Sequence, residues 1–137
     1  MSSTAELVHE HQVIERVLTA LAEGVGEASE TRTLDAAWLR SVVTFSRQFI
    51  DRCHHGKEEG CLFPCLERRG IPREGGPIGV MLQEHEMGRE LVRRIAAALD
   101  GYERGAAALE DVLAPCRAYV ELLTQHIAKE NTILFPM

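Results

Sequence analysis

Two stretches decide how this chain folds: HHGKEEGCLFPCL at 54–66 and HIAKENTILFPM at 126–137. Both read His-x-x-x-Glu-x-x-x-Leu-Phe-Pro, and they lie 126 − 54 = 72 positions apart. A second correspondence precedes each of them. Glu10-His11 matches Glu84-His85 at an offset of 85 − 11 = 74. The chain is thus two copies of a helical hairpin, each offering one histidine and then a His-x-x-x-Glu.

The segments around these motifs carry helical periodicity. The first opens at Ser3, with Glu6 placed as a capping-box partner, and is predicted to stop near Gly24 and Gly26. Its stripe is Leu7, His11, Ile14, Leu18 and Leu21. The second runs from about Asp35 to Arg69, before Gly70-Ile71-Pro72, with Pro64 expected to kink it or end it early. Its inward line is Leu39, Val43, Ile50, His54, Glu58, Cys61 and Cys65. The third spans about Pro77 to Gly101 along Ile78, Leu82, His85, Val92, Ala96 and Leu99. The fourth runs from about Ala106 to the C-terminus along Leu109, Val112, Cys116, Tyr119, Leu123, His126, Glu130, Ile133 and Met137. No strand-like alternation persists. The expectation is one all-α domain over 1–137, an up-down-up-down four-helix bundle.

Composition narrows the function classes. Lys and Arg number 15 against 21 Asp and Glu, a formal charge of −6, with no basic stripe to meet nucleic acid. No apolar run reaches the roughly 20 residues a membrane helix needs. The N-terminus lacks the basic-then-apolar layout of a secretory signal, so the expected location is cytoplasmic. Cys53, Cys61, Cys65 and Cys116 form no CxxC pair, and a disulfide framework is not expected.

The polar members of the repeat fall where a core should be apolar. Residues four apart on a helix differ by about 40° and about 6 Å, so each His–Glu pair projects from one face. A buried carboxylate is costly unless its charge is matched. Two inward glutamates and four inward histidines therefore call for a shared positive charge, which a pair of metal ions supplies. Four imidazoles give two per ion, and each glutamate can bridge both. Positions then remain for an oxo or hydroxo bridge and an outside ligand. The imidazole–carboxylate mixture suits iron, with manganese as the alternative. A structural zinc site would close with four ligands and leave six unexplained.

These residues resemble the hemerythrin-like, or HHE cation-binding, family over nearly the whole chain, from Glu10-His11 to the terminal LFPM, with HHGKEEGCLFP the most specific piece. The resemblance implies a left-handed bundle with a non-haem diiron centre near one end. Its ligands would be His11, His54, Glu58, His85, His126 and Glu130, with Glu58 and Glu130 bridging. The implied function is binding of a small diatomic or peroxidic ligand in sensing, protection or iron handling, with an unidentified redox partner. Alternatives are an iron donor or repair factor for iron–sulfur clusters, or an enzyme decomposing peroxide or nitric oxide. Oxygen carriers of this family have a second histidine one turn after the third-helix ligand. Here that position is Arg89, so a four-histidine, more symmetric and more open centre is expected.

The neighbours of these residues invite competing assignments. Glu15, one turn after His11, is a candidate seventh ligand, although that spacing is common on exposed faces. His9 and His55 are expected off the seam, as exposed or outer histidines. Cys61 and Cys65 read as small core residues, and Tyr119 as packing above the centre or a donor to it. Trp38, Phe45 and Phe49 read as core away from the metal.

Overall fold

The computed structural model describes residues 3–137, and these form four long helices with no strand among them. The first helix spans Ser3–Thr31 and runs straight through both glycines expected to end it. Gly24 is needed inside the helix because a Cβ there would lie 2.4 Å from the Trp38 ring, whereas one at Gly26 would meet nothing within 4 Å. Trp38 thus packs across the first helix, only partly buried. Arg32, at φ 59°, turns the chain into a short reversal. Asp35 then caps the second helix, its carboxylate accepting from the Trp38 N–H at 3.1 Å.

The second helix runs continuously over 36–68 but not uniformly. It is α-helical at Ala36–Phe45, π-helical at Ser46–His55 and Glu58–Leu62, and α-helical again at Phe63–Arg68. The third helix is Pro77–Glu103. The fourth is Leu109–Lys129, with Asp111 accepting from the Ala108 N–H at 2.9 Å, and it continues as a π-helical turn over Glu130–Leu134.

The repeated Leu-Phe-Pro explains the two short π-turns. A proline has no N–H to give, and its ring clashes with the carbonyl four residues back, in an α-helix that of Gly60 or Thr132. Widening the preceding turn moves that carbonyl aside. The Phe63 N–H bonds the Glu58 carbonyl, and the Phe135 N–H bonds the Glu130 carbonyl at 2.8 Å, both five residues back. Pro64 therefore neither ends nor breaks the helix. The widened turn also rotates the residues C-terminal to it. Leu62, Phe63 and Leu66 take the inward positions, Cys61 is exposed and Cys65 half-buried. Their repeat equivalents behave alike: Ile133 and Met137 are exposed while Leu134 is buried. The expectation of Cys61 and Cys65 in the core is corrected accordingly.

The apolar interior comes in two clusters. The larger includes Ile14, Leu18, Leu39, Val43, Ile50, Val92, Leu99, Val112 and Leu123, flanked by the stacked rings of Phe45 and Phe49. The smaller holds Leu7, Leu62, Phe63, Leu66, Ile78, Met81 and Leu134. Along every helix the candidate metal-binding residues lie between members of the two, as His11 does between Leu7 and Ile14. A polar layer is thereby closed above and below by hydrocarbon. No helix of the described chain is long and apolar enough to cross a membrane.

Candidate metal centre

All six residues singled out from sequence are buried in that layer. Exposure is 1% for His11, His54, His85 and His126, and 0% for Glu58 and Glu130. His11, His54, Glu58 and Glu130 bring ligand atoms within 4.8 Å of one another, and a second group of the same spacing contains Glu58, His85 and His126. Glu58 belongs to the first group and the second, so its two oxygens face both.

The Nε2 atoms converge on the carboxylates. His11 Nε2 lies 3.0 Å from Glu130 Oε1, and His126 Nε2 lies 3.2 Å from Glu130 Oε2. His85 Nε2 lies 3.0 Å from Glu58 Oε1, and His54 Nε2 lies 3.5 Å from Glu58 Oε2. The Nδ1 atoms face outward to partners that orient each ring. His54 Nδ1 donates to Glu10 Oε1 and His126 Nδ1 to Glu84 Oε1, each at 2.8 Å. His85 Nδ1 donates to Glu59 Oε2 at 2.7 Å, and His11 Nδ1 to Asn131 Oδ1 at 2.8 Å. A proton fixed on Nδ1 leaves the Nε2 lone pair free to bind a metal. Lys57 and Lys129 in turn hold Glu10 and Glu84. The repeat had paired Glu10 with Glu84, but their task was not legible from spacing, because each orients a histidine on another helix.

The electrostatics call for a cation. Burial, reinforced by Glu130 beside it, drives the Glu58 carboxyl well above the usual range. Burial also opposes charge on Glu130, but the imidazoles of His11 and His126 beside it hold it well below. The two cannot both carry a negative charge at so short a range without a cation between them. Burial, with His55 and His126 nearby, lowers His85 to about 3, and burial lowers His54 as well. His126 goes the other way: burial opposes its charge, but the Glu130 carboxylate beside it wins and raises it.

The decisive observation is what lacks a partner. Among the described residues, seven buried side-chain atoms have no hydrogen bond: His54 Nε2, His55 Nδ1, both oxygens of Glu58, His85 Nε2, His126 Nε2 and Glu130 Oε2. Native proteins rarely leave one such group unmet, and these belong to one layer. Nitrogen and oxygen donors facing inward in this number fit a pair of ions.

His55 departs from its expected place. It is 4% exposed, its ring stacks on His85 with centroids 3.7 Å apart, and it belongs with Glu58, His85 and His126 in the second group. In a regular α-helix the residue after His54 points about 100° away from it. Here it ends the Ser46–His55 π-segment, whose wider turns bring both neighbours inward. His9 and Glu15, by contrast, are exposed, so neither reaches the centre. Tyr119 is buried on the wall of a cavity of about 210 Å³, lined also by Ser46, Asp51, His55, His85 and Arg89.

Comparison with known proteins agrees with this geometry. A family model described as the hemerythrin HHE cation binding domain matches residues 2–137. The chain is 29% identical over 137 residues to uncharacterized protein Rv1995 of Mycobacterium tuberculosis, covering 99% of this chain and 53% of the relative. Uncharacterized protein Mb2018 of Mycobacterium bovis is equally similar. The iron-sulfur cluster repair protein YtfE of Edwardsiella ictaluri is 33% identical over 131 residues, covering 93% of this chain and 58% of the relative. The chain therefore spans about half the length of the curated relatives it matches. No solved structure matches it.

Proposed function

Because the chain belongs to the hemerythrin HHE cation-binding domain family, we propose that it is an iron protein whose polar layer holds two ions on His11, His54, Glu58, His85, His126 and Glu130. The bundle that holds them is read as up-down-up-down and left-handed. Glu58 and Glu130 would bridge the ions and set their spacing, with an oxo or hydroxo group completing the link. Bound iron would supply a redox-active Lewis acid able to take a small diatomic or peroxidic ligand.

The protein's own part is to prepare and protect that site. Burial keeps His54 and His85 neutral, so no proton has to be displaced from either when an ion arrives. Glu10, Glu59, Glu84 and Asn131 lock the ring orientations through Nδ1. Leu7, Ile14, Leu62, Leu123 and Leu134, all buried, shut bulk water out from above and below. The seven buried atoms without a protein partner carry the reading.

A small-ligand binder in sensing, protection or iron handling is the function supported best. A second reading, iron donation to or repair of iron–sulfur clusters, is favoured by the similarity to the repair protein of Edwardsiella ictaluri. One experiment separates them. Iron-loaded protein is exposed anaerobically to nitric oxide or oxygen, and in parallel to an apo cluster protein. A stable coloured adduct with iron retained supports binding, and iron leaving for the acceptor supports donation. Catalytic loss of peroxide or nitric oxide would instead mark an enzyme. Indifference to all of them would end the proposal.

A further inference from the structure

The two hairpins repeat not only the inward residues but also their supports. Glu10 on His54 is matched by Glu84 on His126, and Lys57 on Glu10 by Lys129 on Glu84. Among the positions at which the two halves differ, four lie together beside the centre. On the second helix His55, Asp51 and Glu59 stand where the fourth has Ile127, Leu123 and Asn131, and on the third helix Arg89 stands where the first has Glu15. All four departures gather around the position served by His85 and His126.

They form one connected unit. Arg89 Nε bonds Asp51 Oδ1 at 2.8 Å, and its Nη2 bonds Glu59 Oε2 at 2.7 Å. Asp51 Oδ1 lies 3.7 Å from His55 Nδ1, and Glu59 holds His85 Nδ1. A single guanidinium thus ties the carboxylates facing the two stacked imidazoles. His55 occupies a position as dry as its counterpart: exposure is 4% for His55 and 3% for Ile127. An aliphatic side chain fills that place in one half at no polar cost. An imidazole there carries a polar cost, its Nδ1 facing Asp51 without a hydrogen bond. Its ligand atom lies within 4.8 Å of those of Glu58, His85 and His126.

We infer that His55 is a fifth histidine ligand, making the two metal positions unlike: three imidazoles, from His55, His85 and His126, at one ion, and two, from His11 and His54, at the other. Arg89 and Asp51 are positioning residues that hold the His55 ring. The expected symmetry of a four-histidine centre is lost on the second helix, through the π-turn that brings His55 inward. This inference rests on the metal-pair reading above.

Proton NMR of the diferrous wild-type protein tests it without any substitution. Each coordinated imidazole contributes one solvent-exchangeable, hyperfine-shifted ring N–H, so five such signals are expected. His55→Ile, which copies the other half of the repeat, should keep native helix content by circular dichroism and show four. It should bind one of its two ferrous ions at least tenfold to a hundredfold more weakly, since even outer partners of metal ligands carry about that much. His55→Gln, which keeps a polar group, should behave like His55→Ile, and serves in its place if that variant does not fold. Two irons bound with only four signals in the wild type, or wild-type affinities in both variants, would overturn the role of His55 and leave the metal pair standing. Wild-type protein that takes up no iron would overturn both.

Discussion

Glu58 offers the sharpest test, because the same substitution should have opposite effects in the two forms of the protein. Its carboxyl is 0% exposed, and neither oxygen has a hydrogen-bond partner. Leaving a buried acceptor unmet costs about 1–3 kcal/mol, so two cost about 2–6 kcal/mol. Burial and Glu130 raise the Glu58 pKa, so in the metal-free protein the group escapes most of its charge penalty. The low end, about 2 kcal/mol, is then the appropriate figure. Glu58→Leu removes both oxygens and should stabilise the metal-free protein by about that much. For a chain of this size that is a rise in Tm of roughly 8 °C. In the iron-loaded protein the substitution deletes a bridging ligand, and the stabilisation that iron gives the wild type should vanish. Anaerobic thermal and urea unfolding of both proteins, with and without ferrous iron, reads all four states. If Glu58→Leu costs the metal-free protein more than about 2 kcal/mol, the carboxylate stabilises the fold without a cation and the reasoning fails.

Further outcomes attach to individual residues. His126→Ala should lower iron content per chain, while His9→Ala, at an exposed position, should leave iron content and Tm unchanged by metal analysis and calorimetry. Gly24→Ala should destabilise the fold by about 1–2 kcal/mol through the Trp38 ring despite a better helix former, while Gly26→Ala should gain up to about 1 kcal/mol. The metal-free protein should weaken on acidification from about pH 6.5 to 4.5. Burial lowers His55 to about 4 and His85 to about 3, and lowers His54, so in this range the unfolded chain takes up protons that the folded one refuses. Each such histidine removes about 1.4 kcal/mol per pH unit, and Glu58, protonated when folded, returns one such increment. Urea midpoints at pH 7 and pH 5 check the sign.

The sequence made the four helices and six inward residues legible because each of the six lies on a periodic stripe and recurs at a fixed offset. His54 could be told from His55 as the partner of Glu58 only by aligning the two Leu-Phe-Pro stretches. The features that stayed hidden share one cause. Wheel arithmetic assumes 3.6 residues per turn, and the π-segments at Ser46–His55 and Glu58–Leu62 depart from it. That departure turned His55 inward and Cys61 outward. The prolines at 64 and 136 were the visible signal of the two short π-turns, and no such signal marks Ser46–His55. The first helix was cut short for another reason: Gly24 is a breaker in isolation, and only the approach of Trp38 shows it to be a packing position. The roles of Glu59 and Asn131 stayed hidden because hydrogen bonds between helices leave no periodicity.

The polar layer should take up two cations. Anaerobic titration of metal-free protein with ferrous iron, followed by desalting and metal analysis, measures that directly. Two irons should be retained per chain, and fewer in Glu130→Gln. A wild-type chain that emerges from the column without iron would contradict it.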